Sequence, residues 1–216
     1  IEAFEKVQDG VDADLGDRAN CENLIPLYKK DYEANKNNAV WLQRAMNKLY
    51  SKGCKDDPMF VTIVKQKNTL QPDASTAYYL YVITGEQKYL DQTMDLETDP
   101  FKKAKLYYRA ALDFKNSGSY GKARQYFQEA LSLNPSNKKP YEHIARMYAA
   151  SANSCGDDNF NKRAVFWLAA IEADKSGNSS LASSYRAKAP TKSEIFTKGN
   201  AGQSIRIGCW IGRSVT

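Results

Sequence analysis

The stretch from Ala104 to Asn137 constrains the fold of this chain most, because it holds two consecutive helical patterns separated by a turn. In each pattern, bulky and small apolar residues recur at steps of three and four, which places them on one face of a helix. Gly118 and Gly121 interrupt the pattern, and Pro135 ends it, because proline disfavours helical backbone at the residue before it. The apolar positions are Tyr107, Ala110, Ala111 and Phe114, then Ala123, Phe127, Ala130 and Leu131. The stretch therefore predicts two helices that pack against each other.

Patterns of the same kind flank this stretch, so a series of helix pairs is predicted. One further helix pair is predicted downstream, and a longer connection over 151–161 separates its two helices. Its apolar positions are Tyr141, Ile144, Ala145, Tyr148, Ala164, Leu168 and Ile171. Two less regular pairs are predicted upstream, with apolar positions at Leu42, Ala45, Met46, Leu49, Phe60, Val61, Ile63 and Val64 in the first and at Tyr78, Tyr81, Val82, Tyr89, Leu90 and Met94 in the second. Leu24, Leu27 and Tyr28 predict one more helix before them.

The motif Y-x-x-A-A-x-x-F, followed by A-x-x-x-F-x-x-A and N-P, resembles the tetratricopeptide repeat. That family pairs two antiparallel helices, in which small residues of one helix let the other approach closely. Ala111 stands where the family usually has glycine or another small residue, and alanine keeps the approach close. The resemblance extends from about Cys21 to about Lys175. It implies an all-α fold, a right-handed α-α superhelix whose stacked pairs form a solenoid with an extended concave face.

The last part of the chain departs from the helical pattern. Residues 181–188 predict a capping helix, and apolar residues then alternate with polar ones from Ser204 to Val215, which is the period of a strand. Ile205 and Cys209 fall on the apolar side of this alternation. We expect three parts: an N-terminal extension over 1–20, a helical repeat domain over 21–190, and a C-terminal extension over 191–216 with a short β strand or hairpin packed on the last helices.

The four cysteines leave two interpretations open when they are only counted. None lies in a C-x-x-C pair, so the spacing does not favour a zinc or thioredoxin-type site. An even number permits two disulfides with three connectivities. Four reduced and buried thiols in a cytosolic protein fit the count equally well.

Four short motifs near the end of the chain add a closer resemblance. The runs S-A-N-S-C-G, K-R-A-V-F-W-L-A-A, P-T-K-S-E-I-F and G-C-W-I-G are similar to those of exported tetratricopeptide proteins of Gram-negative bacteria. The resemblance implies bridges Cys21–Cys54 and Cys155–Cys209 and a periplasmic, cell-surface or secreted location. The chain begins at Ile1 rather than methionine. A removed leader would leave this trace, although a trimmed cytosolic protein would begin in the same way.

The sequence contains no recognisable catalytic or metal-binding constellation. His143 is the only histidine, it lies in a predicted helix, and no G-x-S-x-G motif accompanies it. Asp157 and Asp158 lack the EF-hand spacing, and no G-K-[ST] follows a strand. No segment approaches the ~18 apolar residues that a membrane span needs. The sequence therefore predicts a protein that is not an enzyme and has no cofactor.

A surface for a partner is the functional feature that remains. In the tetratricopeptide family the first helix of each unit lines the concave face, so the resemblance nominates outward positions on those helices. Tyrosine, lysine and arginine at such positions suit recognition. The partner-binding candidates are Gln43, Asn47, Tyr79, Ile83, Lys105, Tyr108, Leu112, Lys115, Glu142 and Arg146.

These observations favour a non-catalytic scaffold of the cell envelope that binds a protein or peptide of unknown identity. Association with the envelope without a transmembrane segment is left open. A nucleic-acid-binding helical repeat is the alternative, because the net charge is +6 and tyrosine is abundant. The units differ in length and an exported location disfavours it, so no nucleic acid is expected. A helical enzyme domain is the least favoured interpretation.

Overall fold

A computed structural model describes residues 19–199 and 201–216. The chain divides into two compact units, and the boundary in the sequence falls between Glu97 and Thr98. The predicted N-terminal extension over 1–20 lies outside the described residues, except for Ala19 and Asn20. The predicted domain boundaries after residues 20 and 190 stay predictions.

Side chains cap the starts of four of the described helices in the first unit. Asn20, Asn38, Asp57 and Asp73 each accept a hydrogen bond from a backbone N–H of the first turn of the helix that follows. Such caps satisfy N–H groups that have no partner inside the helix. The elements are α1 (Cys21–Asn35), α2 (Ala39–Ser51), a 3-10 turn (Cys54–Asp56), α3 (Pro58–Leu70), α4 (Ala74–Thr84) and α5 (Gln87–Leu96).

The second unit continues the helix pairs and ends in a β hairpin. Its two strands are antiparallel, with Ile205 opposite Val215. The predicted fold class is confirmed: the described chain is built from helices, with a short β segment near its end. The elements are α6 (Pro100–Asn116), α7 (Tyr120–Leu133), α8 (Lys139–Ala150), α9 (Ala152–Cys155), α10 (Asn159–Ser176), α11 (Ser179–Arg186), α12 (Lys192–Thr197), β1 (Ile205–Ile207) and β2 (Arg213–Val215).

Small residues allow α6 and α7 to lie close together. Ala110 and Ala111 of α6 and Ala123 of α7 are fully buried, and Phe127 is buried beside them. The short turn between the helices makes them antiparallel. Gly118 has φ of +77° in that turn, a conformation that favours glycine. The pair predicted over 104–137 is therefore present, with its alternating seam in the interior.

One disulfide lies in each unit. Cys21 is joined to Cys54 with a Cα–Cα distance of 5.4 Å, and Cys155 is joined to Cys209 with a Cα–Cα distance of 5.1 Å. Both distances are ordinary for a disulfide. The first bond links the start of α1 to the 3-10 turn, and the second links α9 to the turn of the hairpin. The structure thus has the pairing that the resemblance implied.

Three apolar positions from which the sequence predicted helices lie in helices, but their side chains are exposed rather than buried in the interior. Leu27 of α1 is 46% exposed. Val82 of α4 is 56% exposed, because the buried side of that helix carries Thr76, Ala77 and Leu80 instead. Ile171 of α10 is 40% exposed. The alanines of α10 and Leu168 face the interior in its place.

The hairpin is attached to the helices by apolar and polar contacts. Ile207 and Ile211 are fully buried in the core of the second unit. The Arg213 guanidinium lies 2.7 Å from the Glu172 carboxylate, which is itself 3% exposed and also pairs with Lys175 at 2.9 Å. A buried carboxylate needs such partners, because leaving one charge unpaired in the interior is strongly destabilising.

Trp210 and Arg124 complete this attachment. The indole N–H of Trp210 donates to the Ser151 hydroxyl at 2.9 Å, and its ring contacts Tyr120 and Tyr148. Arg124 of α7 donates to the carbonyl of Ile211 at 2.6 Å. Cys209, expected on the apolar side of a strand, lies instead in the exposed turn with φ of +50°. The turn reverses the chain there, so the alternation does not continue through it.

Candidate functional site

The second unit contains successive helix pairs, and the first helices of three of these pairs are α6, α8 and α11. A row of polar side chains extends along these three helices. We call it the first-helix row and define it by Tyr108, Glu142, His143, Arg146 and Asn178. The sequence nominated Tyr108, Glu142 and Arg146. His143 and Asn178 were not nominated, and they are the residues through which neighbouring helices are connected.

Tyr108 and His143 join α6 to α8. The Tyr108 hydroxyl lies 2.9 Å from Nε2 of His143, at hydrogen-bond distance. The imidazole stacks on the ring of Phe127, with 5.2 Å between centroids and 7° between planes. Burial raises the pKa of Tyr108, so the hydroxyl stays neutral at ordinary pH. The contact fixes a half-buried aromatic side chain whose hydroxyl sits at the edge of the helix pair.

Glu142 joins α8 to α11. Its Oε1 accepts from both Nε and Nη2 of Arg146, at 3.0 and 2.7 Å, and its Oε2 accepts from Nδ2 of Asn178 at 3.3 Å. These bonds, with Arg146 first, hold the pKa of Glu142 below its usual value. Asn178 also caps α11 by accepting from the backbone N–H of Leu181. The Arg146 side chain remains 53% exposed and therefore accessible to a ligand.

The other nominated residues of the second unit lie beside this row. Lys105 is exposed, whereas Leu112 and Lys115 are half-buried on α6. Burial, and then the charge of Lys115, hold the pKa of His143 below its usual value, and the Glu142 carboxylate opposes them. Charges of both signs therefore lie near the imidazole.

The nominated residues of the first unit have different surroundings. The amide of Gln43 donates to the side-chain oxygen of Asn47 one turn later on α2, at 3.0 Å. Tyr79 and Ile83 of α4 pack against the core of that unit, and the Tyr79 ring lies 4.7 Å from that of Tyr50. The sequence pattern of α4 is apolar on several sides, so it did not reveal which side faces inward. A partner-binding role for these four residues stays a prediction.

Comparison with protein families matches residues 104–137 to the tetratricopeptide repeat model. The match covers α6, α7 and the turn between them, where the buried alanine seam lies. This chain carries a tetratricopeptide repeat. The predicted repeat family is thereby confirmed, whereas the resemblance to exported bacterial members stays a prediction.

Two curated relatives of the repeat region are photosystem I assembly proteins named Ycf3. The protein from Cyanophora paradoxa is 28% identical over 88 residues, which are 37% of this chain and 51% of that relative. The protein from Acaryochloris marina (strain MBIC 11017) is 41% identical over 44 residues, which are 20% of this chain and 26% of that relative. The chain thus spans about half the length of the first relative and about a quarter of the second.

Two solved structures also align with the chain, both crystal structures of MamA. One has a TM-score of 0.46 and 20% identity, and the alignment covers 82% of this chain and 92% of MamA. The other has a TM-score of 0.42 and 16% identity, and it covers 83% of both chains.

The part of the chain that the structure describes contains neither a cluster of metal ligands nor a helix that could span a membrane. Over 19–199 and 201–216, no group of three or more histidine, cysteine, aspartate or glutamate side chains is arranged to hold a metal ion. Of the helices in the same ranges, none is both long enough and apolar enough to span a bilayer.

His143 is expected to make the stability of the second unit depend on pH. Burial, and then the nearby charge of Lys115, hold the pKa of its imidazole below the usual 6.5. As the pH falls through 6.5, the unfolded chain takes up a proton that the folded protein resists. The free energy of unfolding should therefore have its highest value above about pH 6.5 and should decrease below that pH.

Urea denaturation between about pH 5 and 7.5 measures this dependence, since unperturbed carboxylates titrate mainly below that range. His143 is the only histidine, so the His143→Gln variant should lose most of the slope. Equal slopes for the variant and the parent protein would contradict the assignment.

Proposed function

We propose that this protein is a non-catalytic scaffold that holds a protein or peptide partner on the first-helix row of its tetratricopeptide repeats. The observation that carries the proposal is that side chains of the row link α8 to the helix pairs on either side of it. Tyr108 contacts His143, and the neighbouring residue Glu142 contacts both Arg146 and Asn178. Side chains that are already held in position lose little conformational freedom when a ligand binds. An exposed arginine and a tyrosine in such a row are the residue types that dominate binding energies.

The relatives support a role in binding proteins. Both are named as assembly proteins, and assembly requires contact with other polypeptides. We extend only this general role to the present chain, because the matched regions cover part of each relative.

An exported location, in the periplasm or at the cell surface, is part of the proposal. Disulfides persist mainly in oxidising compartments, and the structure contains one in each unit. Mass measurement of protein taken from cells, with thiols alkylated before reduction, tests this part. Four alkylated cysteines in the native protein would contradict it.

Site-specific photocrosslinking in the native host tests the docking surface. A photoreactive amino acid at Lys105, exposed beside the first-helix row, should capture a discrete protein partner. The same amino acid at Gln128, exposed on the second helix α7, should not capture it. Equal capture at both positions would overturn the assignment of the surface, and capture at neither would overturn the binding function.

Two conservative variants then measure the contribution of the row to the affinity for the captured partner. Tyr108→Phe removes only the hydroxyl, and Arg146→Gln removes the charge while keeping a polar side chain. A residue that dominates an interface contributes about 2 kcal/mol or more, so Arg146→Gln should raise Kd by roughly 30-fold. Unchanged Kd in both variants, at unchanged melting temperature, would place the partner elsewhere. Tight binding of an RNA oligonucleotide with a steep salt dependence would favour the nucleic-acid alternative.

A further inference from the structure

The second unit contains an apolar pocket that is separate from the first-helix row. It lies between α10, α11, α12 and the β hairpin, and its volume is about 320 Å³. Arg186 is the one ionisable side chain among the residues that line it. A pocket of this size with few polar groups is typical of a binding site. The apolar lining consists of Trp167, Ala170, Ile171, Ile195, Ile205 and Val215.

Large apolar side chains are exposed at and beside this pocket. Ile171, which lines it, is 40% exposed. Phe196 follows the lining residue Ile195 on α12 and is 82% exposed, the largest exposed fraction among the big apolar side chains of the described chain. Single exposed apolar residues are ordinary, but apolar groups that adjoin an apolar pocket mark a contact surface.

The part of the chain that surrounds the pocket is strongly basic. Residues 177–216 contain six lysines and arginines but only one acidic residue, Glu194, and so account for five of the six net positive charges. Arg186, Arg213 and Lys198 pair with acidic residues outside this segment. The remaining three basic side chains are exposed: Lys188, Lys192 and Arg206. A surface of this sign attracts acidic partners.

We propose that the pocket receives one bulky apolar side chain from an acidic segment of a partner polypeptide. The apolar lining of this open pocket fits a single aromatic or branched side chain, and the excess of basic residues fits carboxylates on either side of it. A second copy of this chain is disfavoured, because two such basic surfaces repel each other. A flat membrane surface is disfavoured by the concave shape. The site is independent of the proposed first-helix row, since no residue of that row lines it.

Selection from a random dodecapeptide phage library tests the proposal with the full-length protein as bait. Enriched peptides should share a large apolar residue with aspartate or glutamate nearby. The most enriched peptide, synthesised with a fluorescent label, should bind with a Kd that fluorescence polarisation can measure. Absence of enrichment, or enrichment of peptides without this composition, would overturn the proposal.

Four variants then locate the bound peptide. Ile171→Ser, at an exposed lining position, should raise Kd about tenfold or more, because burial of the apolar side chain is weakened. Lys192→Gln combined with Arg206→Gln should raise it severalfold and reduce its salt dependence. Val82→Ser, at an exposed aliphatic position of the first unit, and Arg146→Gln, in the first-helix row, should leave it unchanged. An unchanged Kd in Ile171→Ser would overturn the proposal.

Two further measurements address the other occupants. Sedimentation with phosphatidylglycerol–phosphatidylcholine vesicles that is lost in Ile171→Ser would assign the pocket to lipid. Self-association that is lost in Phe196→Ser, measured by analytical ultracentrifugation, would assign the surface to a second copy. Either result would overturn the proposal for the pocket. Neither result would change the outcome of the crosslinking test of the first-helix row, because that test probes a different surface.

Discussion

Replacing Phe127 with alanine is expected to lower the free energy of unfolding of the second unit by about 3–5 kcal/mol. The side chain is fully buried. Its ring contacts Tyr108, at 5.7 Å between centroids, and stacks on His143. The substitution therefore removes apolar contacts from the interior and leaves a cavity beneath the first-helix row.

Urea denaturation followed by tryptophan fluorescence measures this loss. In a Trp41→Phe background, the remaining tryptophans, Trp167 and Trp210, both lie in the second unit and report on it alone. Gln128→Ala is the matched control, since Gln128 is the next residue on α7 and is exposed. A change below about 1 kcal/mol for Phe127→Ala, at an unchanged denaturant slope, would contradict the packing described here.

Replacing both Cys155 and Cys209 with serine is expected to lower the free energy of unfolding of the second unit by about 4 kcal/mol. The two residues are 54 positions apart, and a crosslink that closes a loop of this length restricts the unfolded chain by roughly that amount. The loss should appear as a lower urea midpoint in the same tryptophan signal.

The equivalent double substitution of Cys21 and Cys54 serves as the control for this measurement. That pair is 33 positions apart and lies in the first unit, so the tryptophan signal of the second unit should keep its midpoint. Addition of a thiol reductant to the parent protein should reproduce the loss seen with Cys155 and Cys209. Equal stability of the parent and the variant would show that the bond does not constrain the unfolded chain.

The helix pair over 104–137 was predictable because its apolar residues define a single buried face on each helix. Ala110, Ala111 and Ala123 are small where two helices touch, and Phe127 is large where the next helix leaves room. In α4 the same reasoning failed, since aromatic and aliphatic residues occur on several sides of that helix. The buried side there includes Thr76, a polar residue that periodicity does not count.

The row of polar residues was predicted in part, and repeat length explains why. Tyr108 and His143 are 35 positions apart, and Glu142 and Asn178 are 36 apart, each close to the 34 residues of the matched repeat. A step of 34 residues leads from Tyr108 to Glu142 and from Glu142 to Ser176. The actual partners lie one and two residues further along, so repeat length alone does not nominate His143 or Asn178.

The pairing of Arg213 with Glu172 had no signal in the sequence. The two residues are 41 positions apart and belong to a strand and a helix, so no periodicity relates them. Glu172 falls on a helix face that is otherwise rich in alanine, and its burial becomes understandable only once the hairpin is in place. Contacts of irregular segments depend on the tertiary structure.

Two of the bonds that hold the hairpin on the helices break under different conditions. A dithiol would cleave the link between Cys155 and Cys209 but would leave the attraction between Arg213 and Glu172 intact. Strong acid would neutralise the carboxylate and leave the sulfur–sulfur bond untouched. Neither a reducing medium nor an acidic one is thus sufficient to detach the end of the chain, and the wall of the apolar pocket that the hairpin forms should persist under either stress.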